Sequence, residues 1–131
     1  MIVSAHVASG AAAGALVGSR GRAVAVGALL HAVGDHVPHR DIHDRPFEVA
    51  SGAALVLLLA AARGPLDPAV LGALASSAPD VEHIVRLPRP GGRKLYPSHR
   101  VHGWHRAGGL PAPLQLVLAG LVVGLLLGRK P

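Results

Sequence analysis

The chain of 131 residues contains no cysteine, which excludes both disulfides and thiolate metal sites. Any transition metal must therefore be held by imidazole nitrogens and carboxylate oxygens. Aromatic residues are nearly absent, with one Phe, one Trp and one Tyr. The formal net charge of +6 could suggest a nucleic-acid partner, but the basic residues are not accompanied by aromatic side chains on which bases could stack. No nucleic-acid partner is therefore expected.

Charged residues are also scarce, at 15% of the chain against about 25% in an ordinary soluble domain. Half of the residues are hydrophobic, chiefly Ala, Val and Leu. At this length the sequence predicts a single helical domain, residues 1–131. The composition favours a membrane protein, whereas the scarcity of Trp and Tyr argues against one. A soluble, tightly packed bundle therefore stays open as an alternative.

Five apolar segments stand out, at about residues 2–17, 24–37, 47–62, 66–78 and 114–127. Apolar and polar residues do not alternate within them, which favours helices over strands. The first four segments are 13 to 16 residues long, shorter than the roughly 20 residues that usually span a bilayer. We predict an all-α fold: an up-and-down bundle of about five helices, transmembrane and multi-pass in the cell inner membrane.

The chain repeats part of itself. The string at residues 7–12 recurs at 49–54, and that at 27–29 recurs at 72–74. In both copies the second string is followed by an aspartate and then a histidine. These are Asp35 and His39 in the first copy, and Asp80 and His83 in the second. This order predicts a duplicated helical hairpin, with repeat 1 at about 3–39 and repeat 2 at about 47–83. A basic loop at 86–109 and a C-terminal helix at about 110–128 follow.

Glycines recur every fourth residue in two segments, at positions 10, 14 and 18 and at positions 120, 124 and 128. This spacing places them on one face of a helix, where a partner backbone can approach closely. We expect both stripes to mark helix contacts.

Up-and-down connectivity brings all nine histidines, and every acidic residue except Asp67, to one end of the bundle. His31 and Asp35 are four residues apart and share a helical face. An unpaired aspartate in so apolar a segment would cost several kcal/mol, and a metal shared with histidine would provide a partner. We predict a divalent metal, with zinc favoured, and the ligand set His6, His31, Asp35, His39, Asp80, His83, His99 and His102.

Less specific interpretations of some residues stay open. Asp80 could simply cap a short turn, since Ser77 three residues earlier resembles a capping box. His36 and His43 are expected to be solvated, and Glu82 is expected to face water or to pair with an arginine.

Three strings in this order, at residues 31–39, 78–83 and 98–102, resemble the motifs of a prokaryotic inner-membrane family, the membrane-bound metal-dependent hydrolases. That family has an N-terminal His, a Pro-Asp-x-Asp-His motif and a downstream His-Arg…His segment. The resemblance runs from His6 to about Arg106. Glu82 stands where the family usually has its second Asp, and Val101-His102-Gly103 replaces its common Thr-His-Ser. The resemblance implies a metal and hydrolysis.

We therefore expect a membrane-associated hydrolase whose metal activates water. Asp35 and Asp80 are its expected catalytic carboxylates, and Arg100 is expected to hold an oxygen of a phosphoester substrate, such as a lipid headgroup. The basic residues favour a cytoplasmic histidine side, with eight Lys and Arg there against five at the other end. Two alternatives stay open: a non-catalytic metal-binding or transport protein, and a helical protein whose histidines are merely solvated.

Overall fold

A computed structural model describes residues 1–129, and over this range the chain is all-helical, as predicted. Lys130, one of the five basic residues predicted at the end away from the histidines, lies outside the described residues. The long helices coincide with the five apolar segments, and two short helices, α5 and α6, were not predicted. The helices are α1 (Val3–Val17), α2 (Arg20–His36), α3 (Arg45–Arg63), α4 (Pro68–Ser77), α5 (Val81–Ile84), α6 (Pro97–Arg100) and α7 (Ala112–Gly128), with 3₁₀ turns at Ala78–Asp80 and Pro90–Gly92.

Local sequence sets the helix ends. Gly18 ends α1 with a left-handed φ of 63°, a conformation that glycine adopts without strain. Asp44 begins α3, and its Oδ1 accepts the backbone N–H of Phe47 at 3.0 Å. Asp67 begins α4 in the same way, accepting from the N–H of Ala69 at 2.8 Å. These aspartates satisfy amide groups that have no partner within the helix.

The bundle is built around α1, which packs against α2, α3, α4 and α7. Its closest neighbour is α4, where backbone meets backbone. A Cβ added at Gly10 would lie 2.3 Å from the carbonyl oxygen of Gly72, and one at Gly14 would lie 2.1 Å from that of Pro68. The close packing predicted for the first glycine stripe is thus confirmed at these two positions.

The second glycine stripe is different. A Cβ added at Gly120, Gly124 or Gly128 would meet nothing within 4 Å. The buried side of α7 carries Gln115 and Ala119 instead, and the glycines face away from the rest of the bundle. The helix contact predicted for this stripe is therefore wrong within the described chain, because spacing alone cannot tell which face of a helix is turned inwards.

Asp35 and Asp80, the equivalent aspartates of the predicted repeat, lie at the same end and both face His31. The packing of the two hairpins differs, however. Helix α2 packs closely on α1, whereas α3 makes only limited contact with α4. The duplication of the hairpin stays a prediction.

Polarity is distributed in an unusual way. Apart from a few larger side chains, the interior consists of small residues and polar ones, including His6, His31 and Asp35, each fully buried. Large aliphatic side chains point outwards, with Leu16 85% and Leu57 68% exposed. A water-soluble helical domain normally shows the opposite arrangement, with an apolar stripe turned to the core.

Within residues 1–129, helix α3 alone is long and apolar enough to cross a membrane. Its most apolar window has a mean hydropathy of 1.5, and 11% of that window is buried within the bundle. Helices α1 and α7 are apolar but shorter, at 15 and 17 residues. One such helix is fewer than the several spans predicted from the sequence.

Candidate metal centre

Asp35 lies at the centre of a buried polar cluster near the end of α2. Its Oδ2 is 3.0 Å from His31 Nε2 and 3.2 Å from His105 Nε2. Ser98 donates its hydroxyl to the same oxygen at 2.8 Å. The other carboxylate oxygen, Oδ1, is 3.2 Å from His6 Nε2. This carboxylate is therefore surrounded by imidazoles brought together from three separate parts of the chain.

Two histidines present bare nitrogens to this centre. His31 donates from Nδ1 to the carbonyl oxygen of Ser76 at 2.7 Å, and His99 donates from Nδ1 to the carboxylate of Glu82. In the neutral imidazoles the two Nε2 atoms consequently carry lone pairs, and they lie 3.0 Å apart. Lone pairs so close to each other and to Asp35 repel unless a proton or a metal ion lies between them. Burial opposes a positive charge on His99, but its hydrogen bonds to Asp35 and Glu82 outweigh burial and raise its pKa, so a proton on His99 fills this place when no metal is bound. A metal ion would displace that proton. Histidine ligands of metals show this same arrangement, with the outer nitrogen bonded to a carbonyl or a carboxylate.

Glu82 positions His99 from behind. The Glu82 side chain is 3% exposed and accepts the backbone N–H groups of Leu95 at 2.6 Å and Tyr96 at 3.3 Å. Burial opposes its ionisation, but the hydrogen bonds from His99 and these amides outweigh burial and hold its pKa below the usual value. The expectation that Glu82 faces water or pairs with an arginine is therefore wrong. The basic loop folds back over α5 and supplies amide partners, which no residue spacing could predict.

Asp80 is held beside the centre with one oxygen free. Its Oδ1 is 3.9 Å from His31 Nε2, while its buried Oδ2 has no hydrogen-bond partner. Burial, aided by the negative charge of Asp35, raises the pKa of Asp80 to about 6. Its side chain makes no capping hydrogen bond to α5. The structure thus gives no support to the alternative in which Asp80 merely caps a turn.

His83 completes the cluster at its outer side. Its Nε2 lies 3.4 Å from that of His99, and its Nδ1 is 3.2 Å from Lys94 Nζ. Burial and the positive charges of His99 and Lys94 lower the pKa of His83 to about 4. His83 is therefore neutral at physiological pH, the form in which imidazole can bind a metal.

Three groups of ligand atoms within the described chain are close enough to hold an ion, each with all of its atoms within 4.8 Å of one another. They are His6–His31–Asp80, His31–Asp35–His99 and Asp80–His83–His99. His31 and His99 each have one nitrogen that is free to bind a metal. An ion held by the second group uses both of these nitrogens, so neither of the other two groups can then bind an ion. The first and third share only Asp80, whose two oxygens can bridge ions. The cluster therefore fits one ion at Asp35 or a pair bridged by Asp80.

Of the eight predicted ligands, the structure brings six into this cluster and leaves two outside. The six are His6, His31, Asp35, Asp80, His83 and His99. His39 lies to one side, where its Nδ1 donates to the Val37 carbonyl at 2.6 Å and its Nε2 is 3.0 Å from Asp41. His102 is exposed and belongs to none of the three groups.

His105 is the histidine that the sequence reasoning missed. It reaches Asp35 although its side chain is 43% exposed. It stands three residues after His102 in an irregular segment, and nothing in the spacing favours one over the other. Gly103 between them has a φ of 76°, a turn that redirects the chain. Arg100, expected to hold substrate, is exposed, and its Nε donates to the carbonyl of Lys94.

A cavity of about 340 Å³ opens beside the cluster. Asp80, His83 and His105 form part of its wall, and Arg45 and Glu48 at the start of α3 form another part. The size is that of a small ligand site. A small polar molecule in this cavity would therefore contact the metal-binding groups and Arg45 together.

No protein family model, no curated protein and no solved structure matches this chain. The resemblance to membrane-bound metal-dependent hydrolases therefore rests on the sequence motifs alone. What the structure establishes is an all-helical protein with clustered histidines and carboxylates that could hold a metal ion.

Proposed function

We propose that this chain is a membrane-embedded, metal-dependent hydrolase whose ion is zinc. The observation that carries the proposal is the orientation of His31 and His99, whose Nε2 atoms converge on Asp35 while their Nδ1 atoms are bonded to fixed acceptors. Nitrogen and oxygen donors without thiolate suit zinc. A divalent ion bound here would lower the pKa of a coordinated water to about 7 and so supply a nucleophile.

The protein groups around that position divide the remaining tasks. Asp35 supplies the negative charge that offsets the ion, and Ser98 fixes the orientation of this carboxylate. Asp80, with its free Oδ2, is placed to accept a proton from water. Arg45 lines the cavity and Arg100 does not. Arg45 is therefore the better candidate to bind the anionic oxygen of a phosphoester.

Support for the membrane placement comes from the outward-facing aliphatic side chains and from α3. Helices α1, α3 and α7 are about 22 to 28 Å long at 1.5 Å per residue, close to the roughly 30 Å of a hydrocarbon core. Polar groups gather at both ends of this apolar belt. In this arrangement the bundle crosses the inner membrane several times, and the more basic histidine end faces the cytoplasm.

The alternative function is metal binding or transport without catalysis. Transporters bind their ions near the middle of the membrane. Here His31 and Asp35 lie in the last turns of α2, and the adjoining cavity opens at that end. This position favours chemistry at the membrane surface.

The test compares two histidines of one loop, His99 in the cluster and His102 outside it. We expect His99→Gln to lose bound zinc and turnover of p-nitrophenyl phosphate while circular dichroism shows retained helix. His102→Gln should match the parent protein in all three measurements. Zinc content is measured by mass spectrometry of detergent-purified protein. Full zinc retention in His99→Gln would rule out the proposed centre, and tight zinc binding without turnover of phosphoesters would favour the non-catalytic function.

A further inference from the structure

The polar cavity at the metal centre continues into an apolar groove. This groove, of about 330 Å³, runs between α3 and α4. Four residues line both spaces, namely Val3, Val49, Asp80 and Ile84. The two spaces therefore form one cleft, which begins at the metal-binding residues and descends along the side of the bundle.

The groove is open to the side because α3 and α4 make so little contact. Its outer walls carry exposed aliphatic side chains, among them Leu57 at 68% and Leu74 at 45% exposure. Its floor lies where Gly52 packs on Val3, since a Cβ at Gly52 would be 2.5 Å from Val3 Cγ1. The absence of a side chain at Gly52 lets α3 approach α1 at this point. The space above this contact stays free.

The polarity of the cleft changes along its length. The polar side chains that line the groove are Ser77 and Asp80, both at the histidine end. Beyond them every lining residue is apolar or glycine. The cavity at the other end is lined by Arg45 and by the acidic residues Asp41, Glu48 and Asp80, and it would gain the positive charge of a bound ion. A head whose anionic group lies beside the ion and Arg45, joined to an aliphatic tail, would match these two parts.

We propose that the cleft binds a phosphate-bearing membrane lipid. The head lies in the cavity near Arg45 and Asp80, and one aliphatic chain lies in the groove between α3 and α4. The lipid enters sideways from the bilayer through the open side of the groove. This inference rests on the proposed membrane placement and gives the substrate class of the proposed hydrolase.

Other apolar surfaces of the bundle are not continuous with the cavity at the metal-binding residues. The outer face of α7, for example, exposes Leu121 at 60% but belongs to neither the groove nor the cavity. Such a face contacts lipid chains without placing a headgroup at the metal-binding residues. Continuity with the cavity is what distinguishes the groove.

The test uses the full chain in phosphatidylcholine vesicles that contain phosphatidic acid with a diazirine in one acyl chain. After irradiation, mass spectrometry maps the labelled residues. We expect labelling at Leu57 and Leu74 to exceed that at Leu29 and Leu121 several-fold, although all four side chains are exposed. Equal labelling at all four positions would overturn the proposal, because it would mean unspecific contact with surrounding lipid.

Two neighbouring alanines of α3 provide the matched variants. Both are exposed, but Ala53 lines the groove and Ala54 does not. Ala53→Phe should lower labelling of Leu74 several-fold, and Ala54→Phe should leave it unchanged. Zinc content should equal that of the parent in both variants. Unchanged labelling in Ala53→Phe with zinc retained would overturn the lipid site alone, whereas groove labelling in a protein without zinc would overturn the metal centre alone.

Discussion

Two regions of this bundle are packed according to opposite rules. Where α1 meets α4, Gly10 and Gly72 let one helix backbone rest on another, with the small Ser76 side chain beside them. At the histidine end, imidazoles and carboxylates occupy the interior, and the Nε2 atoms of His31 and His99 lie 3.0 Å apart. The first region gains stability from dispersion contacts at close range. The second gathers nitrogen and oxygen ligands that need a proton or a metal ion between them. The glycine contact therefore stabilises the fold, and the fold positions the metal-binding groups.

The arginines of the two ends differ in the same sense. At the end away from the histidines, Arg63 bonds to Asp67 Oδ1 at 3.2 Å and to the carbonyl oxygens of Leu126 and Arg129 at 3.1 and 2.9 Å. These bonds tie together the ends of α3, α4 and α7. At the histidine end, Arg45 instead lines a cavity. Arg89 and Arg100 at this end also donate to carbonyl oxygens, so it is Arg45 in particular that is available for a ligand.

The largest effect on stability is expected from crowding the glycine contact. A Cβ at Gly72 would lie 2.2 Å from the carbonyl oxygen of Gly10, and neither helix backbone can move aside easily. Gly72→Ala should therefore cost up to about 3 kcal/mol of unfolding free energy. Thermal unfolding in detergent, followed by circular dichroism, measures it.

Gly124 serves as the control, since a Cβ there meets nothing. Gly124→Ala should raise stability by up to about 1 kcal/mol, because alanine favours helix over glycine. The same sign of change in both variants would contradict the packing described for α1 and α4.

A smaller effect is expected from the residue behind His99. Glu82→Gln keeps the shape of the side chain but removes the charge that orients the imidazole. Loss of such an outer partner typically weakens metal binding about 10- to 100-fold, or about 1.4 to 2.7 kcal/mol. Competition titration with a zinc chelator measures the affinity. Glu48→Gln is the control: Glu48 lines the cavity, but its Oε1 accepts from the N–H of Val3 rather than from a histidine. Equal affinities in the two variants would exclude a positioning role for Glu82.

The same contrast explains how far the sequence could predict the structure. The long helices follow from apolar runs bounded by Gly, Pro and Asp, all of which act locally. The gathering of His6, His31, Asp35 and Asp80 follows from connectivity, because helices that run up and down return to the same end. These features need no knowledge of detailed packing, and the sequence therefore contains enough to predict them.

The irregular segment after α5 could not be predicted in this way. Its course depends on glycines with positive φ, such as Gly103, Gly108 and Gly109, and on hydrogen bonds made only when the chain is folded. Helical spacing gives no guide there. His102 was therefore predicted as a ligand where His105 reaches Asp35, and the inward turn of Glu82 was missed.

The smallest effect is expected at the end away from the histidines, where Asp67 begins α4 and bonds to Arg63. Asp67→Ala removes the capping acceptor for the N–H of Ala69 and should cost about 1 kcal/mol of unfolding free energy. Arg63 keeps its bonds to two carbonyl oxygens, so its charge is not left without partners. Because the histidine end lies at the other end of the helices, zinc content should equal that of the parent. Thermal unfolding and metal analysis of the same preparation measure both quantities. Loss of zinc in Asp67→Ala would mean that the two ends are coupled through α4, and the separation of a structural end from a metal-binding end would then be wrong.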